Sequence, residues 1–294
     1  YQLLLPTGLL AGIALVVGLH LDLYSALIAF CVAHGLSLMV GIQWTWKHYG
    51  GLFRDKSIVA VYDLKSLLRY SIPIAGSQLV FRLNAWMDIL MLGWLLTTED
   101  VGIYKIAVSL VMICGLPINA IITIFNTIIV ELISENKRSE LNALLQLVTK
   151  WIMLFTLPVL ICLYTLPDVI LGIFDSAYLS SQDPLKILIA GQLIWASCSL
   201  CMRLIPMSGY AFLNFCNGVI AAGLNVSLNY WLIPKYGTIG AAMATSLTLS
   251  IWSCWRLIEA WVLLKCFPFT KVTFGMLITA VVLALTLEQQ LTHT

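Results

Sequence analysis

SIPIAGSQLVFRLNAWMDILMLG, residues Ser71 to Gly93, is the stretch on which the reading of this chain turns. As a helix its 23 residues rise about 35 Å at 1.5 Å each, enough for the roughly 30 Å hydrocarbon core of a bilayer. Yet it carries a cation, Arg82, and an anion, Asp88, well inside the apolar run. At 100° per residue Ser77, Asn84 and Asp88 form one stripe, and Gln78, Arg82 and Trp86 form another about 120° away. A charge in mid-bilayer costs several kcal/mol on insertion scales, so it points at a partner or a water-filled cavity rather than at lipid. Arg82 lies roughly 18 Å from the nearer end of the span, too deep to reach the surface with ease. It either binds an anion in a cavity or pairs with Asp88 or a polar neighbour. Asp88 in turn reads equally as a counter-ion, a proton carrier, a cation ligand or a packing group.

The rest of the chain agrees with a membrane setting. Of its 294 residues 61% are hydrophobic and 10% charged, with mean hydropathy +0.96, where soluble domains are about half apolar and a quarter charged. Nine stretches reach spanning length: 3–19, 23–46, 70–96, 101–127, 148–167, 185–205, 209–232, 238–264 and 271–288. Helices are expected throughout, because unpaired backbone groups are not tolerated in lipid and no barrel alternation is present. The fold class is therefore all-α and polytopic.

Basic residues set the orientation. Lys47, Arg54, Lys56, Lys65, Arg69, Lys137, Arg138, Lys150, Arg203, Arg256, Lys265 and Lys271 fall on one side, and Lys105, Lys186 and Lys235 on the other. The richer side is cytoplasmic, which places 47–69 and 128–150 inside and has Glu288 to Thr294 either outside or leading into a return span beyond this sequence. Breaks expected from sequence include His20-Leu21-Asp22, Pro206 to Gly209 and Pro234 to Gly237, with a bend at Gly115-Leu-Pro117. The segment Glu131 to Glu140, followed by apolar Leu141, Leu144, Leu145 and Val148, reads as an interfacial connecting helix. Trp44, Trp46, Trp94, Trp151, Trp231 and Trp261 sit near span ends, where aromatic belts belong, whereas Trp86 and Trp195 do not.

A formal net charge of +2 without a basic block gives no reason to expect nucleic acid. Most of the eight cysteines lie in apolar runs and read as small hydrophobes, Cys198-Ser-Leu-Cys201 included. His34 reads as a satisfied interhelical donor before it reads as a proton relay. No zinc, phosphate-loop or nucleophile motif is present, and no cofactor is expected. Further amides share helical faces: Asn119, Thr123 and Asn126 in the fourth span, and Asn214, Asn217, Asn225 and Asn229 in the seventh. Singly, buried amides tend to join helices; several such faces together favour a hydrophilic cavity. The candidate lining is Gln78, Arg82, Asn84, Asp88, Asn119, Asn126, Asn214, Asn217 and Asn225, with Asp88 the candidate for ion coupling.

Three strings carry a resemblance: Leu67-Leu-Arg69-Tyr-Ser-Ile-Pro73-Ile; Met87-Asp88-Ile-Leu-Met-Leu-Gly93 followed by Glu99-Asp-Val-Gly102-Ile-Tyr104; and Leu224-Asn225-Val-Ser-Leu-Asn229-Tyr-Trp-Leu-Ile-Pro234-Lys-Tyr-Gly237-Thr-Ile-Gly240-Ala-Ala-Met-Ala-Thr245. They resemble the polysaccharide-biosynthesis (O-antigen) flippases of the multidrug/oligosaccharidyl-lipid/polysaccharide (MOP) exporter superfamily. That resemblance implies 12–14 helices in two six-helix lobes facing a central cavity. On that comparison 1–46 holds the last two helices of the N-terminal lobe and 47–69 the cytoplasmic linker. The C-terminal lobe is 70–264 and an additional helix is 265–294, so that earlier helices and one later helix lie outside this sequence. Implied too is movement of an undecaprenyl-diphosphate-linked oligosaccharide across the inner (plasma) membrane by alternating access, without chemistry on the sugar. Membrane lipids and other polysaccharide-assembly membrane proteins are the remaining implied partners. Arg82 then becomes the candidate for the diphosphate or an acidic sugar, since a guanidinium offers paired donors to phosphate. The turn Arg203-Leu-Ile-Pro206-Met-Ser-Gly209 departs from the family's usual small-residue form. Two other readings stand beside this one: a cation-coupled multidrug or small-solute exporter of the same superfamily, and a membrane polysaccharide polymerase or ligase.

Overall fold

The computed structural model describes residues 4–18, 22–54 and 63–292. His20, Leu21 and Lys56, which enter the expected breaks and charge bias, lie outside the described residues. Two compact units are present, Tyr1–Leu64 and Lys65–Thr294.

The first unit is a pair of helices, α1 (Leu4–Gly18) and α2 (Leu23–Arg54). Lipid is as apolar as any side chain, so helices associate in it by close packing of small residues. Here a Cβ added to Gly12 would stand 3.3 Å from that of Ala29, and one added to Gly8 would stand 3.6 Å from that of Ala33, the register of an antiparallel pair. His34 is tied to its own helix, its Nδ1 lying 2.9 Å from the carbonyl of Phe30.

The second unit holds α3 (Leu64–Leu95), α4 (Thr98–Met112), α5 (Gly115–Ser134), α6 (Arg138–Thr165) and the short α7 (Pro167–Gly172). A 3-10 turn, Ser176–Ser181, leads into α8 (Gln182–Met207), α9 (Ala211–Leu264) and α10 (Lys271–Thr292). Before that turn, in a connection between spans, the Asp175 carboxylate accepts the Ala177 N–H at 2.9 Å, which holds its carboxyl below the ordinary range. α4 opens with a capping box: the Asp100 N–H donates to the Thr97 hydroxyl at 3.3 Å and the Thr97 N–H to the Asp100 carboxylate at 3.2 Å. The fourth expected span is two helices, broken at Ile113 and Cys114 just ahead of the expected bend. Pro117 falls in the first turn of α5, where its missing N–H costs nothing.

Three boundaries differ from the sequence reading. The segment 47–69 is not a loop throughout, being helical over 47–54 and 64–69. No separate interfacial helix spans 131–148: α5 continues to Ser134, Asn136 turns the chain at φ 55°, and α6 begins at Arg138. Leu141, Leu145 and Val148 are buried in the bundle, because an apolar stripe at helical spacing looks the same whether its partner is lipid or protein. Lastly, the break between the seventh and eighth spans is one glycine wide. Gly237, at φ 60° and ψ −134°, is the only non-helical residue inside the 54 residues of α9. There the chain reverses, and a Cβ on Gly240 would stand 2.3 Å from the carbonyl oxygen of Leu232. α9 is thus an antiparallel hairpin of two limbs.

Six helical stretches among the described residues are long and apolar enough to cross a membrane, with α4 and α5 counted together and both limbs of α9 counted as one. α1, at 15 residues, is too short to be among them, and α3 is long enough but diluted by Arg82, Asn84 and Asp88. Two apolar clusters hold the bundle. One gathers Leu92, Tyr104, Leu185 and Ile233, and the other Ile122, Leu145, Ile152 and Leu204. α8 approaches the second limb of α9 so closely that a Cβ on Gly191 would stand 2.6 Å from the Cα of Ser246. Gly240→Ala is expected to lower the thermal midpoint of the detergent-solubilised protein by several degrees. Gly223→Ala, on the same hairpin with nothing within 4 Å of an added Cβ, leaves it unchanged or raises it, since alanine is the better helix former.

Candidate functional site

Asp88 is 7% exposed and sits where α3, α4 and both limbs of α9 meet. Asn225 and Asn229, one helical turn apart on the first limb, donate to its Oδ1 at 3.0 and 2.6 Å. From the second limb Thr245 donates to Oδ2 at 2.6 Å, and from α4 the Tyr104 hydroxyl donates to the same oxygen at 3.3 Å. Tyr104 and Thr245 are also 3.1 Å apart. All these donors are neutral, and Asp88 takes part in no salt bridge among the described residues. A buried carboxylate normally pairs with a cation; this one is met by dipoles alone. Asn229 Oδ1, also buried, has no partner.

Below this cluster the second unit is hollow. A cavity of about 350 Å³ starts at Asp88 and adjoins one of about 180 Å³. Phe81, Asn84, Asn119, Trp195 and Trp252 line both. Gln78, Asn214, Arg203 and Arg256 line the smaller one, and Asn225 the larger. Of the residues selected from the sequence, the hollow therefore gathers Gln78, Asn84, Asp88, Asn119, Asn214 and Asn225. Gln78 joins the Ser77 stripe here rather than the Arg82 stripe. Arg82, Asn126 and Asn217 line neither cavity. Asn126 has a buried Oδ1 without a partner, and Asn217 serves as interhelical glue.

Arg82 and Asp88 do not pair. Arg82 is exposed and makes no hydrogen bond or ion pair among the described residues, because it lies about 100° round α3 from the cavity-lining Phe81. It shares an exposed face with Trp86, over whose ring Lys105 of α4 is placed 4.9 Å from the centroid.

A second buried charge was not legible in the sequence. Arg256, which reads there as one of the cytoplasmic cations, is 1% exposed. Its guanidinium donates to Glu259 at 3.2 Å, to the Met202 carbonyl at 3.1 Å and to Asn214 Oδ1. Glu259 accepts from Asn217 at 2.7 Å and from the Trp255 indole at 2.9 Å. The pair locks the two limbs of α9 together near their open end. At the other face, Lys186 pairs with Glu288 and docks the end of α10 on α8. The residues that sequence reasoning passed over at Asp88 are Tyr104, Asn229 and Thr245. Asn229 was one period along the amide stripe from Asn225, while Thr245 and Tyr104 need the hairpin and the α4 packing before they can be placed.

The fold is similar to that of solved membrane transporters. The solved structure described as "Lipid II flippase MurJ, inward closed conformation" superposes with a TM-score of 0.62 at 20% identity, covering 96% of this chain and 60% of that one. A MOP superfamily transporter from Pyrococcus furiosus matches at a TM-score of 0.50 and 20% identity, over 76% of this chain and 52% of that one. At such identities the likeness is one of fold. A family model described as "Polysaccharide biosynthesis protein" matches residues 3–183, and the chain belongs to that family. Its curated relatives include the "Probable low-salt glycan biosynthesis flippase Agl15" of Haloferax volcanii, 26% identical over 190 residues, which are 64% of this chain and 40% of the relative. The "Uncharacterized membrane protein MJ1375" of Methanocaldococcus jannaschii is 23% identical over 240 residues, or 78% and 56%. The chain thus spans about half the length of the curated relatives it matches.

The Arg256 network yields a stability test. Glu259→Gln leaves a buried guanidinium without its counter-charge and is expected to cost about 3–5 kcal/mol. Pairing it with Arg256→Met recovers most of that loss in thermal unfolding of the solubilised protein; no recovery in the double variant contradicts the assignment.

Proposed function

We propose that the chain supplies a C-terminal lobe, 70–264, together with the last helices of its partner lobe, to a transporter that flips lipid-linked oligosaccharide for surface polysaccharide assembly. The cargo is an oligosaccharide on undecaprenyl diphosphate, moved from the cytoplasmic to the outer leaflet of the inner (plasma) membrane. Alternating access, with no bond made or broken in the sugar, is the mechanism. The observation that carries this reading is Asp88. It is a buried carboxyl group with no cation among the described residues beside it, held by α3, α4 and both limbs of α9. A proton or monovalent cation arriving at this carboxylate changes the charge around which those helices pack. That gives the lobe two states to be biased, which alternating access requires.

Arg82 supplies the second half of the reading. An unpaired guanidinium on an exposed face deep in a span is costly against lipid, so its face looks onto water, substrate or another lobe. Beside Trp86 and Lys105 it suits the diphosphate of the carrier, which takes paired guanidinium donors. A cation-drug exporter is the weaker alternative: Asp88 is the one acidic residue in the lining of either cavity, and two arginines share it. A polymerase or ligase would need acids and bases on outward segments, whereas this lobe's polar groups gather inside the bundle.

In the complete protein, Arg82→Ala is expected to reduce surface glycan export at least tenfold at unchanged protein abundance, with Arg82→Lys retaining part of it. Export at the normal level would remove Arg82 from the substrate path. Asp88→Asn is expected to abolish the response of export to collapse of the proton or sodium gradient. A response equal to that of the unaltered protein would remove Asp88 from coupling.

A further inference from the structure

We propose that the hollow inside the C-terminal lobe is itself a glycosyl-binding subsite. It holds one sugar ring against Trp195 and Trp252, with an anionic group on that ring meeting Arg203. The physiological ligand rests on the flippase reading above; the binding chemistry does not.

Shape and wall chemistry point to a sugar ring. The two cavities, about 350 and 180 Å³, together fall within the roughly 300–1,000 Å³ of small-ligand pockets. Trp195 and Trp252 line both halves, and Phe81 stands 6.4 Å from Trp252 between ring centroids. Neither tryptophan is at a span end, so neither is an interfacial anchor. A pyranose has an apolar C–H face that lies on an aromatic ring and a rim of hydroxyls that both donate and accept. The wall carries what such a rim would meet. Asn84 Oδ1, Thr248 Oγ1 and Trp252 Nε1 are buried, belong to lining residues and have no partner. Thr248 as a whole is 1% exposed. Unmet donors and acceptors at membrane depth are costly, so a ligand toward which these side chains turn gains accordingly.

Charge orients the ring. Arg256 is neutralised by Glu259, whereas Arg203 has no acidic partner among the described residues and its guanidinium makes a 3.4 Å hydrogen bond to Asn119 Oδ1. One end of the hollow is therefore positive, and the other holds Asp88. An anionic substituent is drawn to Arg203 and kept from Asp88, while a cationic ligand is repelled where Arg203 stands. Phe81, Met112 and Asn119 are exposed lining residues on α3, α4 and α5 and mark the mouth. The anion is either a carboxylate on the ring or a phosphate on its anomeric carbon.

The test is equilibrium binding to the complete, detergent-purified protein, using glucuronic acid, glucose 1-phosphate, methyl glucoside and inorganic phosphate as probes. At least one of the two anionic sugars is expected to bind at least tenfold more tightly than both methyl glucoside and inorganic phosphate. Tighter glucuronic acid assigns the anion to the ring, and tighter glucose 1-phosphate to the linkage. Arg203→Gln should weaken that binding about tenfold or more. Trp252→Leu, which fills the wall without a ring face, should do the same, while Trp252→Phe keeps most of the affinity. Phosphate binding as tightly as the sugars, or unchanged binding in Trp252→Leu, overturns the proposal. If the complete protein exports glycan but binds none of these sugars, the subsite falls and the flippase reading stands. If they bind with the stated dependence while no glycan is exported, the flippase reading falls alone.

Discussion

A carboxylate inside a membrane bundle must be met by something, and in the second unit the meeting of Asp88 organises the rest. Four neutral donors converge on it from α4 and the two limbs of α9. Each must be delivered to within hydrogen-bonding distance by backbone that is itself fully bonded, because lipid offers no substitute partners. The one-residue reversal at Gly237 and the close approach at Gly240 fold α9 back on itself, so that Asn225 and Asn229 on one limb face Thr245 on the other. Gly191 lets α8 press on the second limb, and α4 brings Tyr104 into the same core as Leu92 and Ile233. The carboxylate is satisfied and yet uncompensated: both oxygens of Asp88 have donors, but no cation among the described residues is present to fix its charge.

A second polar network works in the opposite sense. Arg256 and Glu259 are paired, cross-linked to Asn214 and Asn217, and draw the open ends of the same hairpin together. A compensated pair of this kind holds one arrangement, whereas an uncompensated acid responds to an arriving ion. The second unit thus carries a lock at one end of α9 and a proposed switch further along it, with a hollow lined by Trp195, Trp252 and Asn84 between them. Such a division suits a transporter, in which part of each lobe stays rigid while another part changes state.

Much of this was legible in the residues. Spanning helices followed from length and apolarity, and the motif string around Asp88 lies within the part of the chain, 3–183, that matches the polysaccharide-biosynthesis family to which it belongs. The helical period put Asp88, Asn84 and Ser77 on one face, and those residues line the hollow. What periodicity does not carry is the partner across the gap. Asp88 and Arg82 share a span and invite pairing, but they lie on different faces, and the donors to Asp88 come from far along the chain. Arg256 looked like an orienting surface cation because its sequence neighbours are apolar; only the hairpin brings Glu259, Asn214 and the Met202 carbonyl around it. For the same reason the stripe from Leu141 to Val148 read as a membrane-surface helix, although it is core.

Asp88 is proposed as the group of the second unit whose charge state answers to ions. Infrared difference spectroscopy of the complete protein in membranes, recorded on changing pH or exchanging sodium for a large inert cation, reads that group directly. A carboxyl or carboxylate band that moves with one of these changes and is missing from the Asp88→Asn protein is the expected result. A difference spectrum that is the same in both proteins would contradict it.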